Sequence, residues 1–168
     1  MRRQTERMTI QIRPGTARDV PTILAFIRGL AEYEQLAPTV KATPARLRQH
    51  GFRSYPYFQT LICWRGGKPI GFALYFFAYS TFSARPTLYI EDLYVLPEER
   101  GKGTGKTLLA KLARVALRRR CGCMEWIVLD WNTPAIRFYK RIGAKLDKEW
   151  VLTRLIGAPL RRLARMKV

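Results

Sequence analysis

Between Tyr89 and Arg120 the chain reads YIEDLYVLPEERGKGTGKTLLAKLARVALRRR. Gly101, Gly103 and Gly105 alternate with other residues between a hydrophobic run, Tyr89 to Leu96, and a segment where Leu108, Leu112 and Val115 recur at helical spacing. Glycines let a backbone approach a ligand closely, and the first free N–H groups of the helix that follows favour an anion. The chemistry this predicts is a phosphate cradle. A P-loop fails by one residue: Gly105-Lys106-Thr107 has the right end, but Arg100 stands where its first glycine should be. The dinucleotide fingerprint Gly-x-Gly-x-x-Gly fails as well, since neither Gly101 nor Gly103 has a glycine at the later position. What remains is Arg-x-x-Gly-x-Gly, from Arg100 through Gly103 to Gly105. Upstream, Glu91 and Asp92 put two carboxylates in an apolar strand, where the bland alternative is a salt bridge to a nearby arginine.

The elements that must position these residues follow from periodicity. Met8 to Arg13 reads as a strand; Thr16 with Asp19 opens a helix whose apolar face is Val20, Ile23, Leu24, Ile27, Leu30 and Ala31, ending at Glu32-Tyr33-Glu34. A second helix runs from the cap Thr43, with Pro44 in its first turn, to Gly51. Tyr57 to Trp64 and Pro69 to Tyr79 form a hairpin across Gly66-Gly67. After the central strand, loop and helix, Met124 to Asp130 reads as a buried central strand. Asn132 or Thr133 caps another helix that Gly143 closes, and a last strand is expected at about Trp150 to Ile156. The fold class expected is α/β (α+β), a single domain with a mixed central sheet of about six to seven strands and helices on both faces. Residues 1–7 are expected to be a flexible basic leader and 8–168 the domain.

Composition sets limits. The chain has 168 residues, 48% of them hydrophobic, enough for one core. No apolar run reaches the length of a membrane span, and the basic start lacks the apolar segment of a signal peptide, which suggests a cytoplasmic protein. Cys63, Cys121 and Cys123 have the wrong spacing for a zinc site, with His50 the one available histidine, so no metal is expected. The net charge of +19 is the outlier. It raises nucleic acid as a rival partner, but the basic runs Arg114–Arg120 and Arg161–Lys167 come with no recognition motif, and the sequence argues against it.

The stretch Asp130 to Ala144, DWNTPAIRFYKRIGA, carries Asn132, Ala135, Phe138, Tyr139, Gly143 and Ala144 in the spacing Asn-x-x-Ala-x-x-Phe-Tyr-x-x-x-Gly-Ala. Together with Arg-x-x-Gly-x-Gly this resembles the GNAT N-acetyltransferase superfamily. Ile12-Arg13-Pro14, Leu30 to Glu34, Gly71-Phe72-Ala73, Tyr89 to Asp92 and Phe138 to Arg141 resemble its diamine acetyltransferase group, the spermidine/spermine and thialysine enzymes. The departures are the basic leader, a shorter segment between Ala144 and Trp150, and the basic tail.

The resemblance implies acetyl-CoA as cofactor, its pantetheine arm beside Leu93, Tyr94 and Val95 and its pyrophosphate on Arg100, Gly101, Lys102, Gly103, Thr104, Gly105 and Lys106. Asn132 and Ala135 match contacts on the other side of the arm. Acyl transfer to an amine needs an unprotonated nitrogen, a polarised thioester and a proton for the departing thiolate. By resemblance Tyr139 donates that proton, although a buried aromatic on the face Ala135, Phe138, Tyr139, Ile142 is what the residues alone suggest. Glu91 is the candidate that takes the proton of the incoming ammonium, directly or through water. The resemblance puts Tyr33, Glu34, Glu91, Asp92, Glu125, Trp126, Ile127 and Glu149 on the acceptor side, exposed solvated carboxylates being the plainer reading of Glu34 and Glu149. Five of the 12 acidic residues thus gather where a cation would bind. The expected activity is acetylation of a primary amine of a small polyamine or lysine-like molecule by direct attack in a ternary complex, in a homodimer. The alternatives are a protein N-terminal or lysine acetyltransferase and a non-catalytic or nucleic-acid-binding module.

Overall fold

The structure, a computed structural model, describes residues 9–166. The expected leader and Met8 lie outside the described residues. The chain divides into two compact units, one ending at Ile127 and the other beginning at Val128.

The first unit is built on a five-stranded mixed sheet in sequential order: β1 (Ile10–Pro14), β2 (Gln59–Arg65), β3 (Lys68–Ser80), β4 (Arg85–Val95) and β5 (Cys123–Trp126). Neighbours are antiparallel except β4 and β5, which are parallel and joined through α3 (Thr104–Arg118). A strand must cross over to return parallel, and α3 is that crossover. Helices α1 (Val20–Tyr33) and α2 (Pro44–Gly51) precede the β2–β3 hairpin, which turns at Gly66-Gly67. Arg13 on β1 makes two 2.8 Å hydrogen bonds to Asp19, which also accepts from the Thr16 N–H and hydroxyl. This network ties the first strand to the start of α1, and the Arg13 guanidinium holds the buried Asp19 carboxyl well below the usual carboxylate range.

Alternation along the strands gives the sheet two apolar faces. Phe72, Leu74 and Tyr94 face α1 and α2 in a core with Val20, Ile23, Leu24, Phe26, Leu47 and Ile62, where the Phe26 and Phe72 rings stack at 5.3 Å. A methyl group added at Gly29 of α1 would strike the Tyr94 ring, so the helix lies close against this face. Val95, one residue on, points the other way and lies 3.8 Å from where a side chain on Gly105 of α3 would begin. Helices thus cover both faces, as expected. The buried stripe of α3 is Leu108, Leu109, Leu112 and Ala116, with the expected Val115 half-buried at its margin.

The sequence understates β4, which begins at Arg85 and not Tyr89 because Pro86 reads as a breaker. Near a strand's start a proline is tolerated, and Pro86 pairs opposite Tyr79. It overstates β5, expected over Met124–Asp130 as a buried central strand. That strand lies at the end of the sheet order with alternating exposed residues, and its ladder with β4 stops at Trp126 opposite Ile90.

The second unit holds α4 (Thr133–Arg141) and α5 (Gly157–Leu163). Asn132 caps α4, its Oδ1 accepting from the Ala135 N–H at 3.3 Å. The helix closes at Gly143, with φ +90°, where the Ala144 N–H reaches back to the Tyr139 carbonyl at 3.0 Å. The strand expected at Trp150–Ile156 is absent: those residues are exposed and have no ladder partner among the described residues, so the sheet has five strands and not six to seven. The short α5 in the basic tail was not foreseen.

Candidate active site

The site of the first unit is organised by an irregularity in β4. Its register against β3 runs Val95–Gly71, Tyr94–Phe72, Leu93–Ala73 and Asp92–Leu74, then jumps so that Tyr75 faces Ile90. Glu91 is the extra residue, a β-bulge that bends the strand. The bend explains why β5, in register with Thr87 to Ile90, pairs no further. Beyond it, the edge of β4 from Glu91 to Val95 has no ladder partner on the β5 side among the described residues. Such an edge offers backbone donors and acceptors to a ligand that lies alongside as an extra strand.

The expected cradle follows immediately. A 3₁₀ turn, Pro97–Glu99, leads to Gly101 and Gly103, whose φ values of +73° and +86° suit glycine, and Gly103 caps α3. The Thr107 N–H is the first in the helix to find its intrahelical carbonyl, on Gly103 at 3.0 Å, which leaves the backbone N–H groups of Thr104, Gly105 and Lys106 for a ligand. No atom lies within 4 Å of a methyl group built on Gly101 or Gly103, so the loop is open. Thr104 is 1% exposed and its hydroxyl has no hydrogen-bond partner. A bare loop, a helix N-terminus and an orphan hydroxyl fit a pyrophosphate.

Side chains around the cradle are less free than the motif suggests. The Arg100 Nε donates to the Val95 carbonyl at 3.0 Å, and its guanidinium lies over Tyr33 at 4.5 Å and near Tyr94 at 5.6 Å. Arg100 thus joins the end of α1 to the end of β4 as well as opening the loop. Lys102 reaches Glu99 at 3.4 Å, and Glu99 also pairs with Arg65 at 2.9 Å. Lys106 is exposed.

On the acceptor side, Glu91 sits midway along β4 and not at its entrance, and is exposed at the bulge. Asp92 is half-buried, directed to the α1 face opposite Leu74. Its carboxyl is pushed up to about 7, first by burial and then by the neighbouring charges of Glu91 and Glu34. Glu34, at the end of α1, is itself raised by burial. The structure therefore brings together Glu34, Glu91 and Asp92, with Tyr33 held beneath Arg100. Glu125 pairs in register with Tyr89 and accepts from the Cys123 thiol at 3.4 Å, Trp126 is half-buried, and Ile127 is exposed at the end of the unit. Asp92 was expected as one substrate contact among eight; that it, and not Glu91, is the strained carboxylate was missed. The one signal available was period two: Asp92 shares the parity of the core residue Tyr94.

In the second unit, Asn132, Ala135 and Tyr139 lie on and before α4, with Asn132 buried and Tyr139 half-buried beside Phe138, ring centroids 5.5 Å apart. Glu149 is exposed, its N–H donating to Asp147 at 3.1 Å. Among the described residues, no cluster of His, Cys, Asp or Glu could hold a metal, and no helix is long and apolar enough to cross a membrane.

A parallel strand pair that parts beyond a bulge, followed by an open glycine loop at the N-terminus of the crossover helix, can hold an extended, phosphate-bearing ligand. Residues 26–144 match the Acetyltransferase (GNAT) family, and the chain belongs to it and is an acetyltransferase. Similar proteins are the thialysine N-epsilon-acetyltransferase of Sus scrofa, 39% identical over 93% of this chain and 98% of that one, and an L-ornithine N5-acetyltransferase of Arabidopsis thaliana, 32% identical over 96% and 91%. Among solved structures, an integron cassette protein from the mobile metagenome of V. cholerae superposes with a TM-score of 0.79 at 26% identity, covering 95% of this chain and 99% of that one.

Proposed function

We propose that this acetyltransferase moves an acetyl group from acetyl-CoA to a primary amine of a small cationic molecule, a polyamine or a lysine-like diamine. The observation that carries the reading is the carboxylate group Glu34, Glu91 and Asp92 beside an open strand edge, in a chain of net charge +19. Burying an ionised Asp92 among like charges is costly unless a proton or a bound cation neutralises it, and an ammonium group of the acceptor is such a cation. The similar thialysine and ornithine enzymes act on diamino acids by name, which agrees.

In this reading acetyl-CoA supplies the activated acetyl thioester. The edge Leu93–Val95 gives main-chain hydrogen bonds to its arm, and Gly101 to Lys106 bind its pyrophosphate through backbone N–H groups. Asp92 and Glu34 hold the distal ammonium of the acceptor, while exposed Glu91 passes the proton of the reacting nitrogen to water. Tyr139 protonates the departing thiolate. Attack is direct, in a ternary complex, since no cysteine has a role in the site. The three free cysteines suit a cytoplasmic protein, and we take it to be a homodimer.

A panel of diamines, diamino acids, monoamines and peptides, followed by thiol release from acetyl-CoA, tests the reading. Diamines and diamino acids should have the highest kcat/KM. Ready acetylation of peptides with none of small amines would overturn it in favour of a protein acetyltransferase.

A further inference from the structure

The charge of the chain is segregated along the sequence: residues 35–90 and 100–124 contain no Asp or Glu at all. The acceptor carboxylates Glu91 and Asp92 sit between these segments, and four of the segments' arginines, Arg85, Arg118, Arg119 and Arg120, lie at the other end of β4. There an open cavity of about 530 Å³ is lined by Ala84, Arg85, Pro86, Leu117, Arg120 and Cys121. Arg118 and Arg119 end α3 beside it, Arg119 lying over the Phe77 ring at 5.5 Å. Among the described residues no carboxylate pairs with Arg85, Arg118, Arg119 or Arg120.

Two features fix the backbone of Arg120 and the stem of Arg85. Arg120 occupies the left-handed position after α3, with φ +55°, where the Cys121 N–H reaches back to the Ala116 carbonyl at 2.9 Å. Glycine is the usual residue there, so an arginine carries a conformational cost at this position. The stem of Arg85 lies against Gly122, where an added methyl group would come within 3.3 Å of it. Two exposed aromatic residues adjoin the lining residues along the chain and ladder: Phe82, in the turn that leads to Ala84, is 98% exposed, and Tyr79, opposite Pro86 in the ladder, is 65% exposed.

We infer that this end of the sheet is a docking surface for single-stranded RNA, read without sequence preference. Phosphates pair with Arg85, Arg118 and Arg120, and unstacked bases lie on Phe82 and Tyr79. The lack of a recognition helix, which argued against nucleic acid from sequence, is no objection to a surface that reads backbone and base faces only. The site is remote from acetyl transfer: Arg85 and Leu93 are eight residues apart on one strand, roughly 26 Å.

The test is fluorescence anisotropy of the full chain with a labelled single-stranded RNA of about 12 nucleotides at about 0.1 M salt. Arg85→Gln with Arg120→Gly should weaken binding about ten-fold or more and lower the salt slope by about 1.4, with the fold intact because glycine suits that backbone position. Phe82→Ala should cost at least about five-fold, a loss that charge alone would not produce. Duplex RNA and inorganic polyphosphate should bind more weakly than the single strand, and acetyl transfer should be unchanged in all three substitutions. Equal binding of polyphosphate or duplex, or unchanged affinity in the variants, would overturn the inference.

Discussion

Glu91 and Asp92 are neighbours in the chain, yet the bulge in β4 leaves Glu91 exposed and turns Asp92 into the sheet face opposite Leu74. The Asp92 carboxyl is pushed up to about 7, first by burial and then by the neighbouring charges of Glu91 and Glu34. The native state holds a proton on Asp92 that the unfolded chain releases near pH 4, so stability should fall as pH rises from about 4 to 7. Asp92→Asn should abolish that fall and raise stability at pH 8 by roughly 2–4 kcal/mol, measured by denaturant unfolding at a series of pH values. A bound cation favours the ionised form, so diamine KM should drop as pH rises through about 7 in the wild type and not in Asp92→Asn. A KM profile identical in the two proteins would remove Asp92 from the acceptor site.

The cradle can be separated from the fold at Gly105. Its backbone is helical, and a methyl group there would meet only Val95 at an ordinary 3.8 Å. Gly105→Ala should therefore keep or slightly raise thermal stability while weakening CoA at least about ten-fold by blocking backbone approach. Gly103→Ala should instead lose roughly 1–2 kcal/mol of stability, because its φ of +86° disfavours a side chain. Calorimetric titration beside thermal unfolding checks both; unchanged CoA affinity in Gly105→Ala would move the pyrophosphate elsewhere.

How much of this was legible before the structure depended on the range of the interaction that decides it. The glycine loop and the helix start at Thr104 were readable because Gly101 and Gly103 are set by local backbone geometry. The capping of α4 by Asn132 and the hairpin at Gly66-Gly67 were readable for the same reason. The bulge at Glu91 was not, since it exists only as a mismatch between β3 and β4, and nothing local to Tyr89–Leu96 marks it. The length of β5 was lost with it: its apolar run continues to Leu129, but the partner strand bends away after Ile90. Trp150–Ile156 has the composition of a strand, and composition does not supply the ladder partner a strand requires.

Tyr139 separates binding from chemistry. The residue is half-buried on α4, and phenylalanine preserves the ring that packs beside Phe138. Tyr139→Phe should lower kcat on the order of 10²–10⁴-fold with little change in CoA affinity, the pattern of a lost proton donor. A variant with full kcat would leave the residue a packing aromatic, which is what its helix face suggests without the motif.

The segment from Trp150 to Ile156 tests the oligomeric state. Trp150, Val151 and Ile156 are 78%, 82% and 73% exposed, and the backbone there makes no ladder among the described residues. An exposed segment rich in apolar residues, interrupted only by Thr153 and Arg154, is costly in water, and pairing it with a second copy would cover the apolar surface and give its N–H and C=O groups partners. A symmetric dimer needs one self-complementary patch, and this segment is the surface predicted to form it. Light scattering should then find a dimer at assay concentrations, and Val151→Lys with Ile156→Lys should shift it to monomer while leaving the circular dichroism of the sheet and helices in place. Because Glu149 adjoins the run, the monomer should also show a higher KM for the amine than for acetyl-CoA, relative to wild type. A wild-type protein that is monomeric at those concentrations with full activity would sink the dimer and make the exposed run a property of the isolated chain.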